Sequence, residues 1–167
     1  MVALNKKQIL IGTVFFLIGV LVYITDRSPE STYFVKNTCM RLSFFNTFPN
    51  LFGPVGNNLP GFIHVFSFVL ITSGLLNCGK KGSFIVCLFW TGVNILFEIG
   101  QGCSSWFVKF VPDWFSSIPF LENTQNYFIK GTFDIIDIVA ILVGAVAALL
   151  IVSVTVESKK DPIKSTK

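Results

Sequence analysis

The chain has 167 residues, of which 52% are hydrophobic and only 13% are charged, and its mean hydropathy is +0.69. A water-soluble domain of this length needs a far more polar surface, so the composition excludes a soluble enzyme and indicates a membrane protein. The net charge of +4 collects in short clusters beside apolar runs, and no glycine-rich phosphate loop is present, which argues against a nucleic-acid or nucleotide binder.

Four apolar runs are long enough to be transmembrane helices, which need about 20 residues each. They cover about residues 8–25, 60–76, 83–101 and 134–156. No small-residue cleavage site follows the first run, so it is interpreted as an uncleaved span rather than a signal peptide. The fold prediction is an all-α polytopic bundle of four transmembrane helices. Residues 1–158 form its single domain, and residues 159–167 form a polar cytoplasmic tail.

Two connections are rich in aromatic residues. Between residues 37 and 52, phenylalanines recur at helical spacing over a length too short to cross a membrane. An amphipathic helix in the interface and a loop packed over the bundle both fit this pattern. The second connection, residues 102–131, combines dense aromatics with Pro112 and Pro119, which is typical of the membrane–water boundary. We therefore predict interfacial, aromatic-rich helices or loops on the outer side.

Basic residues give the orientation. With a cytoplasmic N-terminus, eight of the 13 lysines and arginines lie inside, next to the spans or in the tail, as the positive-inside rule requires. The C-terminus is then cytoplasmic too. The predicted location is the bacterial inner membrane. Cys39 and Cys103 both fall on the outer side, where free thiols are favoured over a disulfide because nothing fixes their separation.

Polar residues from three predicted spans fall at one depth, just below the outer interface. The six candidate ligand-binding residues are His64, Asn94, Glu98, Gln101, Asp134 and Asp137. The three on the third span share one helix face, and the two aspartates are three residues apart at the start of the fourth. Three carboxylates in apolar surroundings require protonation, a bound cation, or a partner such as His64 or Lys130. A hydrogen-bond network that only holds the bundle together is the alternative, but membrane depth favours a functional site.

Three motifs resemble the VanZ-like family of bacterial membrane proteins over about residues 59–150. They are His64-x-x-x-Phe68, Glu98-x-x-Gln101 and Gly131-Thr132-Phe133-Asp134-x-x-Asp137. The resemblance implies a small polytopic protein of the bacterial cytoplasmic membrane. Founding members are linked to reduced susceptibility to teicoplanin, a lipid-bearing glycopeptide, and no settled biochemical activity comes with the family. This chain differs from many relatives at Pro60, where they carry an acid.

The leading functional hypothesis is a non-enzymatic protein of the cell envelope or antibiotic response. It would bind a lipid-linked or amphipathic ligand, or a membrane partner, in an outer polar pocket. The alternative is a membrane-embedded hydrolase or transferase, metal-dependent or acid–base, using His64, Glu98, Asp134 and Asp137. H-E-x-x-H and G-x-S-x-G motifs are absent from the sequence. A proton path is disfavoured because the deeper part of each span offers no titratable relay.

Overall fold

The computed structural model describes residues 4–28, 51–119 and 121–156, and this part of the chain is helical without a β-strand. The helices are α1 (Lys6–Thr25), α2 (Leu59–Leu76), α3 (Lys80–Gly102), α4 (Ser104–Phe107), α5 (Thr124–Lys130) and α6 (Ile135–Thr155). The prediction of an all-α fold is therefore confirmed.

Four of these helices, α1, α2, α3 and α6, are long and apolar enough to cross a membrane. Their ends lie within three residues of the predicted bounds, and most lie within the one or two residues by which assignments of helix ends differ. The largest difference is at α3, which begins at Lys80 and so includes the two lysines that the prediction left in the turn. The predicted interfacial segment up to residue 50, and the tail beyond residue 156, lie outside the described residues.

The helices α1, α2, α3 and α6 alternate in direction along the bundle. The α2–α3 turn is the tightest, because α2 ends at Asn77 in the left-handed conformation (φ 47°). Asparagine tolerates this conformation better than most residues, and the next amide, of Cys78, donates to the carbonyl of Ser73 at 3.0 Å. Chain direction therefore reverses within three residues, Asn77 to Gly79, and α3 returns beside α2.

The helix α2 is central, because α1, α3 and α6 all pack against it. Glycines set its distance to α1: a Cβ on Gly19 would lie 2.8 Å from Ile63 Cγ2, and one on Gly12 would lie 2.8 Å from Ile71 Cγ1. On the other side, a Cβ on Gly144 of α6 would lie 2.5 Å from the carbonyl oxygen of Phe62. Small residues let helix backbones approach where lipid offers no hydrophobic driving force.

One end of the bundle, called here the Asn5 end, is fastened by polar groups from α1, α2 and α6. The backbone N–H of Asn5 donates to Gly74 O at 2.9 Å, and its side-chain Nδ2 donates to Thr155 O at 2.9 Å. The Gln8 side chain donates to Thr155 Oγ1 at 3.0 Å. The start of α1 therefore meets the ends of α2 and α6, and the opposite ends of these helices also meet.

The outward surface of the long helices is apolar. On α6, Val139, Leu142, Val146, Leu150 and Val154 are all about half exposed or more. A soluble protein does not expose a continuous apolar surface of this kind, whereas hydrocarbon chains solvate it without cost. The class defined by these helices is a multi-pass membrane protein.

The segment between α3 and α6 is built from the short helices α4 and α5 and from 3-10 turns at Val108–Phe110 and Asp113–Ser117. Its aromatic side chains divide into two groups. Phe107 and Phe128 pack together over the end of α3, with ring centroids 5.5 Å apart. Trp106, Phe110 and Trp114 are exposed. This division suits a segment that covers the bundle while its outer face meets lipid headgroups.

Candidate functional site

Glu98, in the last turn-and-a-half of α3, is the centre of the polar network. Its side chain is only 6% exposed. Oε1 accepts a hydrogen bond from the backbone amide of Asp134 at 2.9 Å, and Oε2 accepts one from Gln101 Nε2 at 3.1 Å. One carboxylate therefore fixes the residue that precedes α6 against the end of α3. This opposite end of the bundle is called the Glu98 end.

Gln101 extends the network to α5. Its Nε2 also donates to the Tyr127 hydroxyl at 2.6 Å. Burial raises the pKa of the Tyr127 phenol, and the nearby negative charge of Glu98 raises it further, so Tyr127 stays protonated at neutral pH. Gly131 is required beside this pair, because a Cβ there would collide with the Gln101 carboxamide and with the carbonyl of Tyr127.

The two aspartates that open α6 do different things. Asp134 is the N-cap: its Oδ1 accepts from the Ile136 amide at 2.8 Å, which satisfies one of the free N–H groups of the first turn. Asp137 lies one turn further in, and its Oδ1 accepts from Asn58 Nδ2 at 2.8 Å. Asp137 therefore ties the start of α6 to the start of α2, while Asp134 has an ordinary helix-capping role.

His64 takes a separate place at the same end. Its ring is stacked between Tyr23 of α1, with centroids 6.0 Å apart and planes 16° apart, and Phe68 one turn away on α2, at 5.8 Å and 12°. Within the described residues no hydrogen bond joins His64 to the carboxylates. His64 lies at the same end of the bundle as the acids, but the sequence did not indicate that its imidazole belongs to an aromatic stack beside them.

Asn94 is the predicted residue that contributes least to the network. Its Nδ2 donates to the carbonyl of Trp90 in its own helix at 2.8 Å. The structure thus brings Glu98, Gln101, Asp134 and Asp137 together, with Asn94 one turn below and His64 to one side. Two concavities, one between the turns at Asp113–Ser117 and α5 and one along α6, lie away from these carboxylates.

Five further residues belong to this end and were missed at the sequence level: Tyr23, Asp26, Arg27, Asn58 and Tyr127. Asp26 Oδ1 accepts from the Leu51 amide at 3.0 Å and Oδ2 accepts from the Phe52 amide at 2.8 Å. Arg27 lies 5.5 Å from the centroid of the Tyr23 ring and donates to Asn57 O at 2.6 Å. Four of them, Tyr23, Asp26, Arg27 and Asn58, share the signal of lying at or beside the end of a span, but interfacial anchors share that signal. Tyr127 lies within α5 and has no such signal.

The acidic residues at the Glu98 end do not form a metal-binding cluster among the described residues. No group of three His, Cys, Asp or Glu side chains within the described ranges is close enough to hold a metal ion. Cys103 is an exposed free thiol near this end, whereas Cys39 lies outside the described residues. The oxygens of Glu98 are already engaged by internal donors, so its carboxylate positions neighbouring groups more readily than it attacks or deprotonates a substrate.

Comparison with protein-family models finds no match, and comparisons with curated proteins and with solved structures find no significant match. Fold and site together therefore define a class: a multi-pass, all-α membrane protein with a hydrogen-bonded polar network at one end of the bundle.

Proposed function

We propose that this chain is a VanZ-like protein of the bacterial cytoplasmic membrane that binds a lipid-linked or amphipathic ligand, or the helix of a membrane partner, at its Glu98 end. In this proposal the Glu98 end lies at the outer leaflet and both termini are cytoplasmic. The motif resemblance supports a role in cell-envelope or antibiotic-response biology. The protein acts by binding rather than by catalysis.

The observation that carries the proposal is the state of Glu98. A carboxylate at membrane depth is costly unless something compensates it. Glu98 accepts hydrogen bonds from two uncharged donors, the Asp134 amide N–H and the Gln101 carboxamide. An ionisable side chain in a membrane helix is typical of a functional site, where it orients other groups for recognition. Here the oriented groups are Gln101 and Tyr127, which lie at the Glu98 end of the bundle.

Glu98→Gln tests this role. The amide keeps the size of the side chain and one acceptor oxygen, but it loses the negative charge that fixes the Gln101 carboxamide. We expect the variant to fold normally. The amount of amphiphile that co-purifies with it should decrease by about tenfold, which corresponds to the loss of one charge-assisted hydrogen bond. The measurement is mass spectrometry of the molecules that co-purify with the protein extracted in polymer discs without detergent.

The matched control is Glu122→Gln, at a half-buried glutamate of the connecting segment for which no side-chain hydrogen bond is present in the described structure. It should retain the same molecules as the unmodified chain. Equal retention by Glu98→Gln and by the unmodified chain would count against the proposed function.

Two native cysteines test the orientation, because they lie at opposite ends of the bundle. Cys103 is exposed just beyond α3 at the Glu98 end, and Cys78 is in the α2–α3 turn at the Asn5 end. In variants that keep one cysteine each, a membrane-impermeant maleimide should label Cys103 in intact cells and Cys78 only after permeabilisation. The reverse pattern would place the Glu98 end in the cytoplasm and contradict the proposed topology.

A further inference from the structure

An aromatic face on α2 is left open between α1 and α3. Both helices pack on α2, and neither packs closely against the other. Along this face run the rings of Tyr23, His64, Phe68 and Trp90, each in contact with the next at centroid distances of 6.0, 5.8 and 4.7 Å. Phe16 of α1 joins them, with its ring 5.9 Å from Phe68. These five side chains are called the ring ladder.

The ring ladder is partly exposed along its whole length, so it is a surface and not a closed core. His64, Phe68 and Trp90 are each half-buried, and Phe16 is 37% exposed. Trp90 Nε1 donates to Thr72 Oγ1 at 3.1 Å, which satisfies the indole N–H, so the part of the ladder formed by Phe16, Phe68 and Trp90 is apolar. A flat apolar surface at this depth suits a hydrocarbon chain.

The length of the ladder matches one leaflet. Phe16 lies eleven residues before Arg27, which corresponds to about 16 Å at about 1.5 Å per residue. Half of a hydrocarbon core of about 30 Å is nearly the same distance. An acyl chain lying on the rings therefore has its polar end beside Arg27, at the level where the phosphates of a bilayer lie.

Arg27 supplies the charge that selects the polar end. Its guanidinium lies over the Tyr23 ring and donates one hydrogen bond to the Asn57 carbonyl, and no carboxylate pairs with it in the part of the chain that the structure describes. The neighbouring Asp26 is occupied by the amides of Leu51 and Phe52. Among the described residues the guanidinium donates that one hydrogen bond, and its other N–H groups are able to bind an anion.

From this geometry we infer that the ring ladder and Arg27 form a binding site for one anionic phospholipid of the surrounding bilayer. Its phosphate is held by Arg27, and one acyl chain lies along Phe68 and Trp90. The inference rests on the proposed function and specifies its ligand as a bilayer lipid. It also assigns His64 a place in the wall of the site, as a flat ring between Tyr23 and Phe68.

Trp90 makes the site directly measurable, because its ring is part of the ladder. Replacing Trp106 and Trp114, which are exposed in the connecting segment, with phenylalanine leaves Trp90 as the one fluorophore of its kind. The protein is reconstituted in phosphatidylcholine with rising fractions of brominated phosphatidylglycerol or of brominated phosphatidylcholine. Bromine on an acyl chain quenches an indole that it touches.

We expect half-maximal quenching of Trp90 at about a fivefold lower fraction of the anionic lipid, the preference that one headgroup-level arginine supplies. Arg27→Gln should bring the two quenching curves together, and Arg27→Lys should restore most of their separation. The matched control is Lys109→Gln, which removes an exposed cation of the connecting segment and should leave the separation unchanged.

The inference would be overturned if the quenching curves of the two brominated lipids coincided for the protein with an unmodified ring ladder. It would also be overturned if the preference for phosphatidylglycerol persisted in Arg27→Gln or disappeared in Lys109→Gln. Circular dichroism and thermal unfolding of each variant exclude loss of fold as the cause. The proposed function is judged separately by the molecules retained in polymer discs. A retained amphiphile other than a phospholipid, together with coincident quenching curves, supports the proposed function and refutes this inference.

Discussion

Replacing Gly144 with alanine is expected to destabilise the bundle by about 3 kcal/mol, because the added methyl group overpacks a rigid contact. A Cβ at this position would lie 2.5 Å from the carbonyl oxygen of Phe62 and 3.1 Å from its Cα. Both atoms belong to the backbone of α2, so no side chain is able to rotate away. The two helices have to separate, and the buried contacts of Ile141, Ala145 and Ala148 loosen with them.

Gly92→Ala is the matched control, because Gly92 also lies inside a long helix but no atom lies within 4 Å of its Cβ position. There alanine should be neutral or should stabilise the protein by up to about 1 kcal/mol through its higher helix propensity. The measurement is unfolding in mixed micelles of increasing denaturing-detergent fraction, followed by circular dichroism. Equal effects at the two glycines would show that α2 and α6 are not in close backbone contact.

Replacing Glu98 with leucine is the second large expected effect, a loss of about 3 kcal/mol. Leucine has a similar volume and suits a membrane helix, so the substitution would increase the stability of the protein if Glu98 were only a buried charge. The donors, however, stay behind: the Asp134 amide and the Gln101 carboxamide both lose their acceptor. An unsatisfied buried donor costs about 1–3 kcal/mol, and two are created here.

Glu98→Gln, which keeps the shape of the side chain but removes its charge, is tested in the same measurement. Its free energy of unfolding should decrease by less than about 1 kcal/mol, because the glutamine carbonyl still accepts a hydrogen bond from the Asp134 amide. Glu122→Leu is the control for adding an apolar side chain at this end of the bundle. If Glu98→Leu proved as stable as the unmodified chain, the hydrogen bonds from Asp134 and Gln101 would not be contributing to stability, and the network would not fasten α3 to α6.

The fold was predictable because its signals are long. Four apolar runs define the long helices almost without reference to packing. Lys80 and Lys81 were predicted to lie in the α2–α3 turn, but they form the start of α3. The burial of Glu98 was also predictable, since Ile95, Leu96, Phe97 and Ile99 surround it in the sequence. A helix with an acid in such surroundings has to turn that acid inward.

The contacts of the site were less predictable, because they depend on which helix faces which. Spacing places Asp134 and Asp137 on one helix, but only the fold shows that one caps α6 and the other reaches Asn58. His64 shares the depth of the carboxylates, yet it faces Tyr23 because α1 packs on that side of α2. Neutral partners such as Tyr127 carry no composition signal within an aromatic-rich segment.

The fastening at the Asn5 end links two residues that lie 150 positions apart in the sequence, Asn5 and Thr155. The Asn5 side chain, just before α1, donates a hydrogen bond to the carbonyl of Thr155. This carbonyl is in the last turn of α6, where carbonyl groups have no N–H donor within their own helix. During biogenesis this bond has no acceptor until the fourth span has left the ribosome and entered the bilayer. The Asn5 side chain therefore bonds to water until α6 is inserted, and the insertion of α6 completes this fastening.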